Sequence, residues 1–141
     1  MRVTRFKDDS RWCGPAAISA VAGITTGRAA ALLREISGKR TITRVTIDDI
    51  QMALLGLGHL LRPELDLRND RCRKDRPTFA TWLREHNDRS ARQIYMVAIG
   101  RHIVVLRGDT IWDNEHHEGV PTREYPHRRL RVVYVGIVYK F

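Results

Sequence analysis

Residues 8–23 read Asp8-Asp9-Ser10-Arg11-Trp12-Cys13-Gly14-Pro15-Ala16-Ala17-Ile18-Ser19-Ala20-Val21-Ala22-Gly23, and the reading of this stretch decides the fold. Pro15 has no amide proton and a backbone already set near helical φ, so it suits the first turn of a helix, where N–H groups lack intrahelical partners in any case. The residues after it are small and apolar on nearly every side as far as Gly23 or the Thr25-Thr26-Gly27 turn. A helix that is apolar all round runs through the middle of a domain, so Cys13 is expected at the start of a buried, rigid element. There its sulfur meets the positive end of the helix dipole and the unpaired N–H groups of the first turn, both of which favour thiolate over thiol. Gly14 is expected to let a backbone or a substrate come close. A free cysteine is also commonly just a small buried hydrophobe, and position alone does not separate the two readings.

Outward from this helix, the first half of the chain reads helical. Arg28 to Ile36 puts Ala29, Leu32, Leu33 and Ile36 on one stripe and stops at Ser37-Gly38. A third helix starts at Thr46, with Asp49 three residues on, and runs to Gly58. His59 to Leu65 reads as extended and Asp66 to Arg76 as a loop. Thr78 then caps a short helix that closes near His86-Asn87. From Gln93 the pattern turns to strands: 93–99, 102–107 after Gly100, 110–113 after a Gly108-Asp109 turn, and 130–139. Helices first and an antiparallel meander last make an α+β domain, N-terminal helices packed on a C-terminal antiparallel sheet. With 141 residues and no repeat or low-complexity linker, residues 1–141 read as a single domain.

A nucleophilic thiol needs a base, and six histidines are available: His59, His86, His102, His116, His117 and His127. His102 opens a strand directly after the Gly100 turn, where it faces a cleft while Val104 and Leu106 face the core. The other five read as solvated turn residues. If Gly108-Asp109 is a two-residue turn, Arg107 pairs with Thr110, Val104 lies opposite Asp113 and His102 opposite Glu115. Asp113 is then the diagonal neighbour of His102 on the same face, and Asn114 points to the other. Asp113 is the expected orienting carboxylate, and Asn114 takes its place as third member if the loop is one residue longer.

The segment 8–23, the downstream strand Gly100-Arg101-His102-Ile103-Val104-Val105-Leu106 and the following Thr110-Ile111-Trp112-Asp113-Asn114 together resemble the papain-like cysteine peptidase superfamily, closest in pattern to small bacteriocin-leader-processing peptidases and their phage and bacterial relatives. The resemblance implies a thiol-dependent hydrolase acting on a peptide or isopeptide bond, with Cys13 as nucleophile, His102 as general base and acid and Asp113 as orienting residue. It also implies no metal and no organic cofactor. The family places a Gln several residues before the Cys to help hold the oxyanion, and residues 1–12 contain none. Lys7, at about that spacing, and Ser10 can each donate a hydrogen bond there, whereas ionised Asp8 and Asp9 cannot.

Composition sets the remaining bounds. Hydrophobic residues make up 43% of the chain, enough for a core without disulfides or metal, so disorder is not expected. Two cysteines allow at most one bridge, Cys13–Cys72, and the absence of an apolar signal core after Met1 points to a reducing cytoplasm, where it would stay open. The longest uncharged run, 13–26, contains Gly14, Pro15 and Gly23 and is too short to span a bilayer. Lys+Arg exceed Asp+Glu by 25 to 16, a net charge of +9, with arginines concentrated at 68–76 and 123–131. Such a surface suits a substrate with acidic flanks. The alternative function is a non-catalytic papain-like binding module whose arginines contact an acidic protein or nucleic acid, although no aromatic residues are interleaved as a base-stacking platform needs.

Overall fold

The computed structural model describes residues 1–6, 11–69 and 73–141. Helix α1 (Cys13–Ala22) begins at the predicted residue, ends at Gly23 in the left-handed conformation (φ +73°), and buries Gly14 through Ala20. Helices α2 (Thr26–Ser37), α3 (Ile47–Gly56) and α4 (Phe79–Glu85) each start behind a threonine, whose hydroxyl accepts an N–H of the first turn: Thr25 from Arg28, Thr46 from Asp49 and Thr78 from Thr81. The residue ahead of α1 is Trp12, which offers no such acceptor. Among the described residues, the helix that starts at Cys13 is thus the one whose N-cap side chain leaves the first-turn donors unclaimed.

The strands are β1 (His59–Asp66), β2 (Ile94–Ile99), β3 (His102–Arg107), β4 (Thr110–Trp112), β5 (Val120–Pro121) and β6 (Val132–Lys140), in one antiparallel sheet of order β1-β6-β2-β3-β4-β5. The expected meander holds for β2 to β5 only. The last strand returns to the middle, between β1 and β2, because residues 132–138 are apolar toward both faces and a central position buries both. β1, expected simply as extended, is an edge strand, and its Pro63 sits where the register shifts, a position that tolerates a missing amide proton.

Both faces of the sheet are covered. On one, Met96, Ala98, Ile103 and Val105 meet Ile18, Leu33, Ile50 and Leu54 of the N-terminal helices. On the other, Val97, Ile99, Val104 and Leu106 pack with Phe79 and Trp82 of α4 and with Tyr125. The alternation of β3 is therefore between two cores rather than between core and solvent. Residues 3–6 lace the first layer together: Thr4 N–H donates to Ser19 Oγ (2.8 Å), Phe6 N–H to Thr26 Oγ1 (2.9 Å), and Val3 N–H to the carbonyl of His117 (2.8 Å). Among the described residues no helix is long and apolar enough to cross a membrane.

Gly14 does not open space for a ligand. The side chain of Val45, in the segment before α3, occupies the position that a Cβ at residue 14 would take, so the glycine lets α1 start against its neighbour. Gly14→Ala is expected to destabilise the protein by about 1–3 kcal/mol through overpacking, and Val45→Ala in the same chain to recover part of that loss. Urea denaturation of the two single variants and the double variant measures the coupling.

Candidate active site

Four pieces of chain converge on Cys13: the start of α1, the start of β3, the turn after β4, and the segment around Tyr125. The β3–β4 hairpin has the predicted two-residue connection, with Arg107 opposite Thr110, Leu106 opposite Ile111 and Val105 opposite Trp112. The ladder stops there. Asp113 closes a turn of its own, in which Oδ1 accepts the N–H groups of Glu115 (2.9 Å) and His116 (2.8 Å), a local bonding pattern that aspartate favours over continuing a strand. Glu115 is consequently not opposite His102, a correction to the extrapolated register. Asp113 nonetheless lies beside His102 as expected.

The imidazole of His102 donates through Nε2 to Asp113 Oδ2 at 2.9 Å. Cys13, a free thiol of intermediate exposure, lies close enough to the same ring to act on its protonation. Burial acts to lower the His102 pKa, but the hydrogen bonds to Asp113 and Cys13 outweigh it and push the value up to about 9. The imidazolium form is thus favoured at neutral pH.

Asp113 is 1% exposed, so its charge must be satisfied from within the protein. Oδ2 accepts from Tyr125 Oη (2.7 Å) in addition to His102, and Oδ1 accepts from His116 Nδ1 (2.8 Å) in addition to the two backbone groups. Burial alone would raise its pKa; the hydrogen bonds from His102, Tyr125 and His116 hold the carboxyl well below the usual carboxylate range. Burial, then the bond to Asp113, pushes the Tyr125 hydroxyl far above the ordinary tyrosine value, so it acts as a neutral donor. The ring of His127 meets those of His102 (centroids 5.6 Å) and Tyr125 (5.5 Å) edge-on.

Of the residues singled out in the sequence, Cys13, His102 and Asp113 come together. Asn114 does not take the place of Asp113: its Nδ2 donates to the carbonyl of Arg11 (2.7 Å), fastening the chain two residues before Cys13. Lys7, Ser10 and Cys72 lie outside the described residues. Sequence reasoning missed His116, Tyr125 and His127. The spacing of His116 from Asp113, three residues within a turn-forming Asp-Asn-Glu-His run, carried a local signal; Tyr125 had none, since it arrives through tertiary packing. His86 and His117 are not free surface rings either, bonding to the carbonyls of Trp82 (2.8 Å) and Asn114 (2.7 Å). The arginine concentrations are partly internal: Arg68 pairs with Asp66 (2.7 Å) and Asp48 (3.3 Å), and Arg131 donates to the carbonyl of Arg76 (2.6 Å). Among the described residues no cluster of His, Cys, Asp and Glu could hold a metal ion.

Helices α1 to α3 on one face of an antiparallel sheet and α4 on the other, with a cysteine at the first helix start and a histidine at a strand start, make a fold that matches that of a solved peptidase domain. The chain resembles the crystal structure of the peptidase domain of Streptococcus ComA, described as a bi-functional ABC transporter involved in a quorum-sensing pathway. The TM-score is 0.56 at 20% sequence identity, covering 99% of this chain and 98% of that one. No protein-family model and no curated protein matches the sequence.

The bonds to Asp113 predict a pH-dependent stability. A carboxyl whose native pKa is depressed contributes stability that is fully present above the unfolded value and is lost as pH falls through the native one. Tyr125→Phe removes one donor to the charged group and is expected to cost about 1.5–3 kcal/mol at pH 7. The gap from wild type should persist from pH 7 to pH 3, because native Asp113 stays ionised over that range, and narrow only in stronger acid; urea titrations at pH 7 and pH 3 measure whether it persists.

Proposed function

We propose that residues 1–141 form one cysteine peptidase domain in which Cys13 is the nucleophile, His102 the general base and acid, and Asp113 the residue that orients the imidazole. The observation that carries this reading is an imidazole held by a buried carboxylate at 2.9 Å and acted on by a thiol at a helix start. The same three roles, recognised by geometry rather than chain order, define thiol- and hydroxyl-dependent acyl transfer on several folds. The fold likeness to a peptidase domain over nearly the whole of both chains supports it as well.

In this mechanism the Cys13 thiolate, paired with protonated His102, adds to the carbonyl carbon of a peptide or isopeptide bond. The N–H groups at the start of α1 face the developing oxyanion, and we assign Lys7 or Ser10 as the second donor that a Gln supplies in the family. His102 passes its proton to the leaving amine as the tetrahedral adduct collapses to a thioester. It then takes a proton from water, which attacks the thioester and frees the thiol. The nucleophile requires a reduced thiol, and we place the protein in a reducing compartment such as the cytoplasm.

Three measurements test the reading. A limiting amount of iodoacetamide at neutral pH, read by peptide mapping, should modify Cys13 well before Cys72; His102→Ala should abolish that preference. Equal labelling of both thiols in the folded protein overturns the reading. Salt-sensitive binding of an acidic partner that survives Cys13→Ala, with no preferential labelling, would favour a binding module instead.

Activity should decline on the alkaline side as His102 loses its proton near pH 9. Replacing Asp113 by Asn removes the carboxylate that raises this pKa, so the alkaline limb of the kcat/KM profile should move to lower pH. Asp113→Ala should lower turnover by about a hundredfold or more. Asn114→Ala, which only releases the Arg11 carbonyl, should have a smaller effect.

A further inference from the structure

The β2–β3 turn that delivers His102 also forms one wall of a small cleft of about 230 Å³, lined by Arg76, Gly100, Arg101, Arg131 and Val133. Among the described residues, three of the five that line it are arginines and none is acidic. We propose that this cleft is a substrate subsite that receives a single aspartate or glutamate side chain of the peptide being cleaved; the proposal rests on the peptidase reading above.

Placement is the first argument. Ile99 pairs with His102, so Gly100 and Arg101 are the two turn residues and Arg101 directly precedes the imidazole in the chain. The opposite wall belongs to the segment that leaves His127, whose ring touches that of His102. Leu130 N–H bonds back to the His127 carbonyl (3.2 Å), and the carbonyl of Arg131 accepts the Gly100 N–H (2.8 Å). A peptide lying across the imidazole therefore passes this cleft within a few residues of the bond under attack.

The construction of the cleft is the second argument. Arg131 donates to the Arg76 carbonyl (2.6 Å), and Arg76 to the Leu67 carbonyl (2.9 Å), so the Arg131 guanidinium is oriented before any ligand arrives. β6 carries an extra residue here: Ala98 faces Tyr134 and Ile99 faces Val132, leaving Val133 between them in the cleft lining. Arg101 is exposed and has no side-chain partner among the described residues. Planar guanidinium donors match a carboxylate in paired fashion.

Size and composition choose the ligand class. The volume is below that of a typical small-molecule pocket, and among the described residues no aromatic ring lines it for base stacking. It therefore fits one acidic side chain better than a nucleotide.

The test is cleavage of a proteome-derived peptide library, with the new termini sequenced by mass spectrometry. Wild type should enrich Asp and Glu at one fixed position relative to the cut. In Arg101→Glu and Arg131→Glu that enrichment should fall about tenfold or reverse toward Lys and Arg, since a like charge across a contact costs enough to invert selection. Arg101→Glu alters an unpartnered turn residue and keeps the test valid should Arg131→Glu impair folding. Arg28→Glu makes the same change in net charge on exposed α2, at the far end of α1 from Cys13, and should keep the wild-type pattern. Cleavage without an acidic preference, or a preference lowered equally by Arg28→Glu, overturns the subsite and leaves the peptidase reading standing. Failure of wild type to cleave any peptide, together with equal labelling of Cys13 and Cys72, overturns both.

Discussion

A carboxylate shut away from water constrains everything around it, and in this protein that carboxylate is Asp113. Ionised and buried, it must be met by donors from several directions at once. His102 comes from the start of β3, Tyr125 from the segment after β5, and His116 and two backbone N–H groups from its own turn. Each bond fixes one neighbour. The orientation of the His102 ring is held, β4 is made to stop at Trp112, and Tyr125 is drawn into the core beneath α4. Removing any one donor leaves charge uncompensated, which ties the stability of this end of the molecule to the geometry of its candidate chemistry.

The opposing half of the site depends on α1. Its small side chains let it pack among α2, α3 and the sheet, and Gly14 admits Val45 where any other residue would push the helix start away. The chain ahead of Cys13 is tethered twice, through Thr4 and Phe6 to Ser19 and Thr26 and through the Arg11 carbonyl to Asn114. Cysteine and histidine thus sit on two rigid elements brought together end to end, and the distance between them is set by core packing rather than by loops. Such preorganisation is what nucleophilic catalysis asks of a scaffold.

Fold likeness to a peptidase domain with so few shared residues has a physical basis. A sheet buried on both faces accepts many combinations of Val, Ile, Leu and Met, provided volume and alternation are kept. The functional reading draws on far fewer positions, and these belong to the site rather than to the fold. In the cleft beside His102 this chain carries three arginines, and we draw its substrate preference from them rather than from its likeness to another protein.

Local pattern alone was enough for much of this. The apolar run after Cys13-Gly14-Pro15, the caps at Thr46 and Thr78, the turn at Gly108 and the alternation of 94–107 each encode their element within a few residues and formed where expected, whereas α2 starts at Thr26 behind a Thr25 cap rather than at Arg28. The two-residue hairpin set a register that placed Asp113 rather than Asn114 beside His102, because strand periodicity carries a turn's geometry several residues along the chain. Other features had no local signal. The return of β6 to the centre of the sheet was decided by which strand could be buried on both faces. Tyr125 reached Asp113, Val45 reached Gly14, and Arg131 reached Arg76 across 55 residues. Such contacts join segments far apart in sequence, and only the folded chain, in satisfying its buried charge and filling its core, brings them within bonding distance.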